Sequence, residues 1–174
     1  MLGLTPLGTF HTAISLIAVV AGFVALARER EISTRSAAGL VFFGGTVVSC
    51  LTAFGIFQRG GFDVPHVFAI VTLVVLAMAL AAERAAAFGR LSPYAATVGY
   101  SFALFLHFVP ATVETLTRLP AGAPYLAHPE DPKAQPILGF FLLLFLIGAT
   151  LQVLRFRTLK EKTPAATYRS AEAE

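Results

Sequence analysis

The sequence predicts an all-α integral membrane protein, a helical bundle of five transmembrane helices built as a four-helix bundle plus one. Two observations lead to this fold class. The chain of 174 residues is 56% hydrophobic and only 13% charged, whereas an ordinary soluble domain is about 25% charged. All 13 Lys and Arg residues also lie outside five long apolar segments. A soluble core of this size would lack the charged residues needed to cover it.

The five segments follow from the length that a membrane requires. A helix needs about 20 mostly apolar residues to cross the hydrocarbon layer. The predicted spans are Leu7–Ala27, Ala37–Phe57, Val64–Ala82, Pro93–Thr115 and Ile137–Leu154. The first span has no basic residue before it, so we do not expect it to be a cleaved signal peptide. Residues 1–157 then form one transmembrane domain, and residues 158–174 form a basic, disordered cytoplasmic tail.

The basic residues alternate between the two sides of the predicted bundle. Ten follow spans 1, 3 and 5, whereas three follow spans 2 and 4, namely Arg59, Arg118 and Lys133. Positive charge favours the cytoplasmic side of a membrane. The N-terminus is therefore predicted outside and the C-terminus inside, in the inner (plasma) membrane of a cell.

The longest segment outside the predicted spans is Arg118–Pro136, on the outer side. It holds five prolines, which forbid a regular helix. Nineteen residues are too few for a soluble catalytic domain, and the chain has no phosphate-binding glycine loop, Ser/His/Asp constellation or nucleic-acid surface. We therefore expect a protein that is neither a hydrolase nor a nucleic-acid partner.

Three histidines and a carboxylate fall in the outer half of the predicted bundle. His66 and His11 lie roughly 3 and 6 Å inside the outer boundary, and His107 roughly 12 Å inside, at 1.5 Å per helical residue. Imidazole binds copper, zinc and iron, and haem iron takes one or two axial histidines. His11, His66 and His107 are thus the candidate ligands of a haem b or of a copper or iron ion, with Glu114 as a weaker metal ligand.

Structural roles compete with ligation at each of these positions. His66 follows Asp63 and Pro65, which is typical of a helix start, so it can serve as a capping or interfacial residue. Glu114 precedes Arg118 by four residues and can pair with it. His11 lies close enough to the surface to be interfacial. Only His107 is too deep for that, and Pro110 beside it frees a backbone carbonyl.

Spans 1 and 3 resemble each other weakly when His11 is aligned with His66. Four of nineteen positions are identical, and both spans run from an outer histidine to an inner Arg/Glu pair. The pattern predicts that spans 1–2 and 3–4 are parallel repeats about an axis normal to the membrane.

Four stretches carry a resemblance to a known group of proteins: "HTAISLIAVVAGFVAL", "FGIFQRGGFDVPHV", "LFLHFVPATVETLTRLP" and "GATLQVLRFR". In these features the chain resembles small bacterial polytopic inner-membrane proteins grouped as a domain of unknown function, with histidines in the outer half. The resemblance covers about Leu7 to Arg157 and implies the fold without an activity. A more distant similarity, to four-helix proteins that handle haem and copper around respiratory oxidases, is an analogy of pattern.

The leading hypothesis is a haem- or metal-binding membrane protein for redox transfer or cofactor handling. Its expected partners are the lipid bilayer, a respiratory or other membrane complex, and a second copy of the chain. One alternative is a structural or assembly subunit without a cofactor. Another is a small-solute transporter that uses His107 and Glu114 as proton relays, although the inner half of the predicted spans carries no further charge.

The charge asymmetry makes a topology prediction. A reporter enzyme that works only in the cytoplasm should be active when fused after Arg157 and inactive when inserted near Pro129. A reporter that works only outside should give the opposite result at both sites. Activity of the cytoplasmic reporter at Pro129 would contradict the orientation.

Overall fold

A computed structural model describes residues 5–57 and 61–171, and the side-chain environments as far as residue 158. These residues are helical, without strands: α1 Pro6–Glu29, α2 Ala37–Ala53, α3 Val64–Ala85, α4 Ser92–Leu116 and α5 Ala134–Ala171. A single 3-10 turn, Gly89–Leu91, leads into α4. The all-α fold class is confirmed.

Local sequence signals set the helix starts. The Thr5 side chain accepts a hydrogen bond from Gly8 N–H, and the Ser36 side chain does the same for Gly39 N–H. Each of these caps satisfies one of the free amides in a first helical turn. Asp63 and His66 form a reciprocal capping box at the start of α3, so the capping role predicted for His66 is confirmed.

The five helices alternate in direction. Leu7 packs against Gly55, and Gly22 packs against Phe42, so α1 and α2 are antiparallel. Phe23 meets Phe108 on α4, and Tyr94 of α4 meets Phe156 of α5, which continues the alternation. We name the end with His11, His66 and His107 the histidine end. The opposite end, with Arg28, Arg35 and Arg84, is the arginine end.

Small residues bring the helices together in two similar pairs. A Cβ built on Gly45 would lie 3.0 Å from Ala18 Cβ, and one built on Gly99 would lie 3.0 Å from Ala79 Cβ. Such small-residue contacts permit close packing of transmembrane helices. In these two contacts Ala18 of α1 and Ala79 of α3 occupy equivalent positions. The alignment of His11 with His66 makes Ala18 equivalent to Leu73 instead. The repeat stays a prediction, and the helix crossings favour a register six residues away from the histidine alignment.

Four of the predicted spans correspond to helices long and apolar enough to cross a membrane: Pro6–Glu29, Val64–Ala85, Gly89–Leu116 and Ala134–Thr158. The predicted second span is longer than the helix found, because α2 ends at Ala53 and not at Phe57. Gly55, whose amide bonds back to Thr52 in a turn, sits against Leu7. Glycine is a poor helix former, which accounts for the early end.

The segment between α4 and α5 agrees with the sequence prediction, whereas the predicted C-terminal tail differs from it. Between α4 and α5 the chain forms turns, as its prolines predict, and Leu126 there is fully buried. Asp131 accepts the backbone N–H groups of Lys133 and Ala127, which lowers the pKa of this carboxyl. At the other end α5 continues to Ala171, although a disordered tail is predicted from residue 158. A helix already formed extends without a new nucleation cost.

The tight turn before α2 generates a stability prediction. A Cβ on Gly39 would lie 2.0 Å from the carbonyl oxygen of Ser33, whereas nothing lies within 4 Å of one on Gly44. Gly39→Ala should lower the free energy of unfolding by at least about 2 kcal/mol, because backbone has to move. Gly44→Ala is the matched control and should be neutral or stabilising by about 1 kcal/mol. Unfolding in detergent measures both, and equal stabilities would contradict the packing at Gly39.

Candidate functional site

His107 lies on α4 with both ring nitrogens facing groups of the same chain. Its Nδ1 is 3.0 Å from the carbonyl oxygen of Ala103, one turn earlier. A carbonyl only accepts hydrogen bonds, so Nδ1 carries the proton and Nε2 carries the lone pair. The hydroxyl of the fully buried Thr46 on α2 lies 3.5 Å from that Nε2. His107 therefore points into the bundle and not into lipid.

His11 is held in the same tautomer on α1. Its Nδ1 lies 3.0 Å from both the carbonyl oxygen of Ser49 and the hydroxyl oxygen of Thr52 on α2. Thr52 donates its own proton to Ser49 O at 2.8 Å, so His11 Nδ1 has to be the donor in this group. The Ser15 and Ser49 hydroxyls, 2.6 Å apart, extend the polar contact between α1 and α2.

Glu114 completes this group at the end of α4. The carboxylate forms an ion pair with Arg118 one turn later, as the spacing predicts. It is also near enough to His11, and His11 to His107, for electrostatic interaction. Two imidazoles and one carboxylate from α1 and α4 thus lie at the histidine end, without forming a group that could hold a metal ion among the described residues.

His66 is held differently from the other two histidines. Its Nδ1 accepts the backbone N–H of Asp63 at 3.1 Å, so the neutral ring carries its proton on Nε2. The ring is 2% exposed and lies beside Phe62, Phe57 and Phe54, with centroids 4.9, 5.0 and 6.3 Å away. Its Nε2 has no hydrogen-bond partner among the described residues. With one nitrogen accepting and the other protonated, this histidine offers no lone pair to a ligand.

The predicted three-histidine metal site is not formed in the described part of the chain. There, no three His, Cys, Asp or Glu residues are grouped so that they could hold a metal ion. The Nδ1 of His66 is used in the capping box at the start of α3, while the side chains of His11 and His107 contact α2. Neither a haem nor a copper or iron ion is supported by this arrangement. Cys50, the free cysteine, is buried in the packing of α2.

A second polar cluster lies at the arginine end, just beyond the predicted spans, whose inner half carries no charge. The Glu83 carboxylate on α3 accepts from the hydroxyls of Ser33, Thr34 and Tyr100, with Thr34 at 2.6 Å and Tyr100 at 2.9 Å. The Thr34 backbone N–H adds a longer contact of 3.3 Å. Tyr100 comes from α4 and is 1% exposed. One carboxylate therefore joins the α1–α2 loop, α3 and α4.

Arginines hold the outside of this cluster. Arg84 donates to the hydroxyl and the carbonyl of Thr34 at 2.8 and 3.1 Å. Arg35 donates to the backbone carbonyl of Glu83 at 3.0 Å. Thr97 of α4 reaches Glu31 of the loop at 3.2 Å. The loop between α1 and α2 is therefore held against α3 and α4.

No protein-family model, curated protein or solved structure matches the chain. The resemblance to inner-membrane proteins of unknown function therefore stays a prediction. Any proposal about function has to rest on the residues and contacts described above.

The Glu83 cluster yields a prediction with a matched control. Tyr100→Phe removes a buried hydroxyl that donates to the partly buried carboxylate of Glu83 and should lower the free energy of unfolding by about 1.5 kcal/mol, the low end of the range for hydrogen bonds to charged groups. Tyr94→Phe on the same helix removes a hydroxyl near the rim, where Tyr94 packs on Phe156, and should change it by less than about 0.5 kcal/mol. Equal effects of the two substitutions would contradict the role of Tyr100.

Proposed function

We propose that this chain is a multi-pass inner-membrane protein that acts as a structural or assembly subunit without a resident cofactor. One observation carries the proposal. The side chains of His11, His107 and Glu83, at both ends of the bundle, are held by hydrogen-bonding groups of the same chain, whereas the buried His66 is held through its Nδ1 alone.

The energetic argument concerns polar groups in a solvent that offers no hydrogen bonds. An unpaired polar group in hydrocarbon costs several kcal/mol. His107 is placed between Ala103 O and Thr46, and Glu83 has three hydroxyl donors. These contacts join helices that are apolar on most of their surface, so they fix which helices pair. A role in specifying the bundle accounts for both clusters.

The path of α2 fits this membrane arrangement. Its 17 residues span about 26 Å at 1.5 Å per residue, slightly less than the hydrocarbon thickness of about 30 Å. It links the end of α1 to the start of α3, and those helices run in the same direction. The turn of Phe54 and Gly55 at the histidine end supplies the remaining length. All five helices then cross, with the histidine end outside and the arginine end in the cytoplasm.

The fifth helix supports the assembly role. In the hydrophobic stretch of Ala134–Thr158 only 6% of the most apolar window is buried, against 39% for α4 and the turn before it. Among the described elements α5 packs on α4, through Phe141 against Phe108 and Gln152 bonded to Ser101. Its remaining surface is apolar and faces outward. A respiratory or other membrane complex, or a second copy of the chain, is the expected neighbour there.

A second candidate function is metal or haem handling through two histidines. The specific observation in its favour is that His11 and His107 both donate Nδ1–H to a backbone carbonyl. Ligating histidines commonly do this, because it turns the Nε2 lone pair toward the metal. The remaining ligands would have to come from a partner or from water.

The two proposals differ in how stability responds to metal. For a structural role, His107→Ala should lower the free energy of unfolding by about 2 kcal/mol, from lost packing and an unpaired Thr46. Added zinc or copper should leave the melting temperatures of the wild type and the variant unchanged. His128→Ala, in an exposed loop where His128 is 59% exposed, is the control.

A metal-binding protein behaves differently in the same assay. A metal at a hundredfold excess over its Kd stabilises the folded state by about 2.7 kcal/mol. Metal-dependent stabilisation of the wild type that is lost in His11→Ala and His107→Ala would contradict the structural proposal. So would purification with bound haem, visible as a Soret band, or with stoichiometric metal by elemental analysis.

A further inference from the structure

An apolar groove runs between α1 and α2 over the half of the bundle nearer to the arginine end. Its volume is about 520 Å³, within the range of small-molecule sites in proteins. Its walls include Leu16, Ile17, Val20 and Val24 of α1, and Ala38 and Val41 of α2. Val20 is 61% exposed and Val41 is 48% exposed, so the groove opens away from the bundle.

A basic residue, Arg28, follows the α1 residues that line the groove. Ile17, Ala21 and Val24 follow one another at spacings of four and three, which keeps them on one helix face. Arg28 comes four residues after Val24 and lies on the same face, where it is exposed. Among the described residues no carboxylate forms an ion pair with it, since the ion pairs there are Arg118–Glu114 and His128–Glu130.

Glu29 is next to Arg28 in the chain but forms no ion pair with it among the described residues, and two other carboxylates at this end face other groups. Glu31 accepts from Thr97, and Glu83 is enclosed by Ser33, Thr34 and Tyr100. Arg35, exposed in the loop before α2, uses one Nη in its bond to Glu83 O. The end of the groove nearer the arginine end therefore has two exposed guanidinium groups, Arg28 and Arg35, while its walls are apolar.

We propose that this groove binds one acyl chain of an anionic phospholipid, with the headgroup at Arg28 and Arg35. Apolar walls that end at exposed cations match a molecule with a hydrocarbon tail and a negative head. Clustered basic residues attract anionic lipids by about 1 kcal/mol for each Lys or Arg near the surface, about fivefold in affinity. The inference rests on the chain lying in a membrane and does not depend on the structural or metal-handling role.

The absence of tryptophan from the chain allows a direct test. A single Val20→Trp substitution places the only tryptophan of the protein in the groove. Ile147→Trp places a control on α5, where Ile147 is 49% exposed outside any such groove. The two positions are matched, because Arg28 follows Val20, and Arg155 follows Ile147, by eight residues.

The measurement is quenching by brominated lipid in phosphatidylcholine vesicles, so the orientation of the protein does not matter. Brominated phosphatidylglycerol should associate with the Val20→Trp site about 25-fold more strongly than brominated phosphatidylcholine, about fivefold for each of the two arginines. At the Ile147→Trp site the two lipids should quench equally. In the Val20→Trp background, Arg28→Gln should lower the ratio about fivefold and Arg28→Gln with Arg35→Gln should bring it close to one, whereas Arg90→Gln, outside the groove, should not change it.

Three outcomes would overturn the proposal. Equal quenching by both lipids at the groove would show ordinary boundary lipid. An equal preference for phosphatidylglycerol at both positions would show attraction to the basic end as a whole. Protection of the Val20→Trp site from both lipids, with quenching intact on α5, would show that a helix of a second copy covers the groove. Ile17→Trp, also at an exposed position of the groove wall, repeats the test where Val20→Trp disturbs folding.

Discussion

Lipid offers no hydrogen bonds, so each polar group inside this bundle depends on a partner from its own chain. That constraint accounts for the positions of Thr46, Ser49 and Thr52 on α2, which face the imidazoles of α1 and α4. It also accounts for Glu83, whose three hydroxyl donors come from a loop and from α4. The apolar surfaces of these helices would allow many different helix pairs to form. The few polar contacts select one of them.

The fold class and the local contacts could be predicted from the sequence because they depend on short spacings. Four apolar stretches of sufficient length, the Asp63–His66 start of α3 and the Glu114–Arg118 pair all follow from neighbours within four residues or from run lengths. The Glu83–Tyr100 bond could not be predicted in the same way. It joins two helices across a turn, and Glu83 falls just beyond the predicted end of its span. The only available signal was a carboxylate one residue from that boundary.

The candidate site also has features that the sequence predicts and features that it does not. The sequence places three histidines at one end of the bundle, and the structure has them at that same end. It cannot say which ring nitrogen each one exposes, because that depends on carbonyls such as Ser49 O, 38 residues away from His11. His11 and His107 are held with protonated Nδ1, whereas the Nδ1 of His66 accepts a bond. Placement at one end of the bundle therefore does not imply equal chemistry, and the three histidines do not form one metal-holding group among the described residues.

The order of the helix contacts has a consequence for biosynthesis. The closest pairs are neighbours along the chain: α1 with α2, α3 with α4, and α4 with α5. Each hairpin can therefore close soon after its second helix enters the membrane. Of the contacts that cross between the hairpins, Thr34 with Glu83 can form once α3 is present, whereas Gly22 with Leu104 has to wait for α4. The four-helix core is complete at that point, and α5 joins an assembly that is already folded.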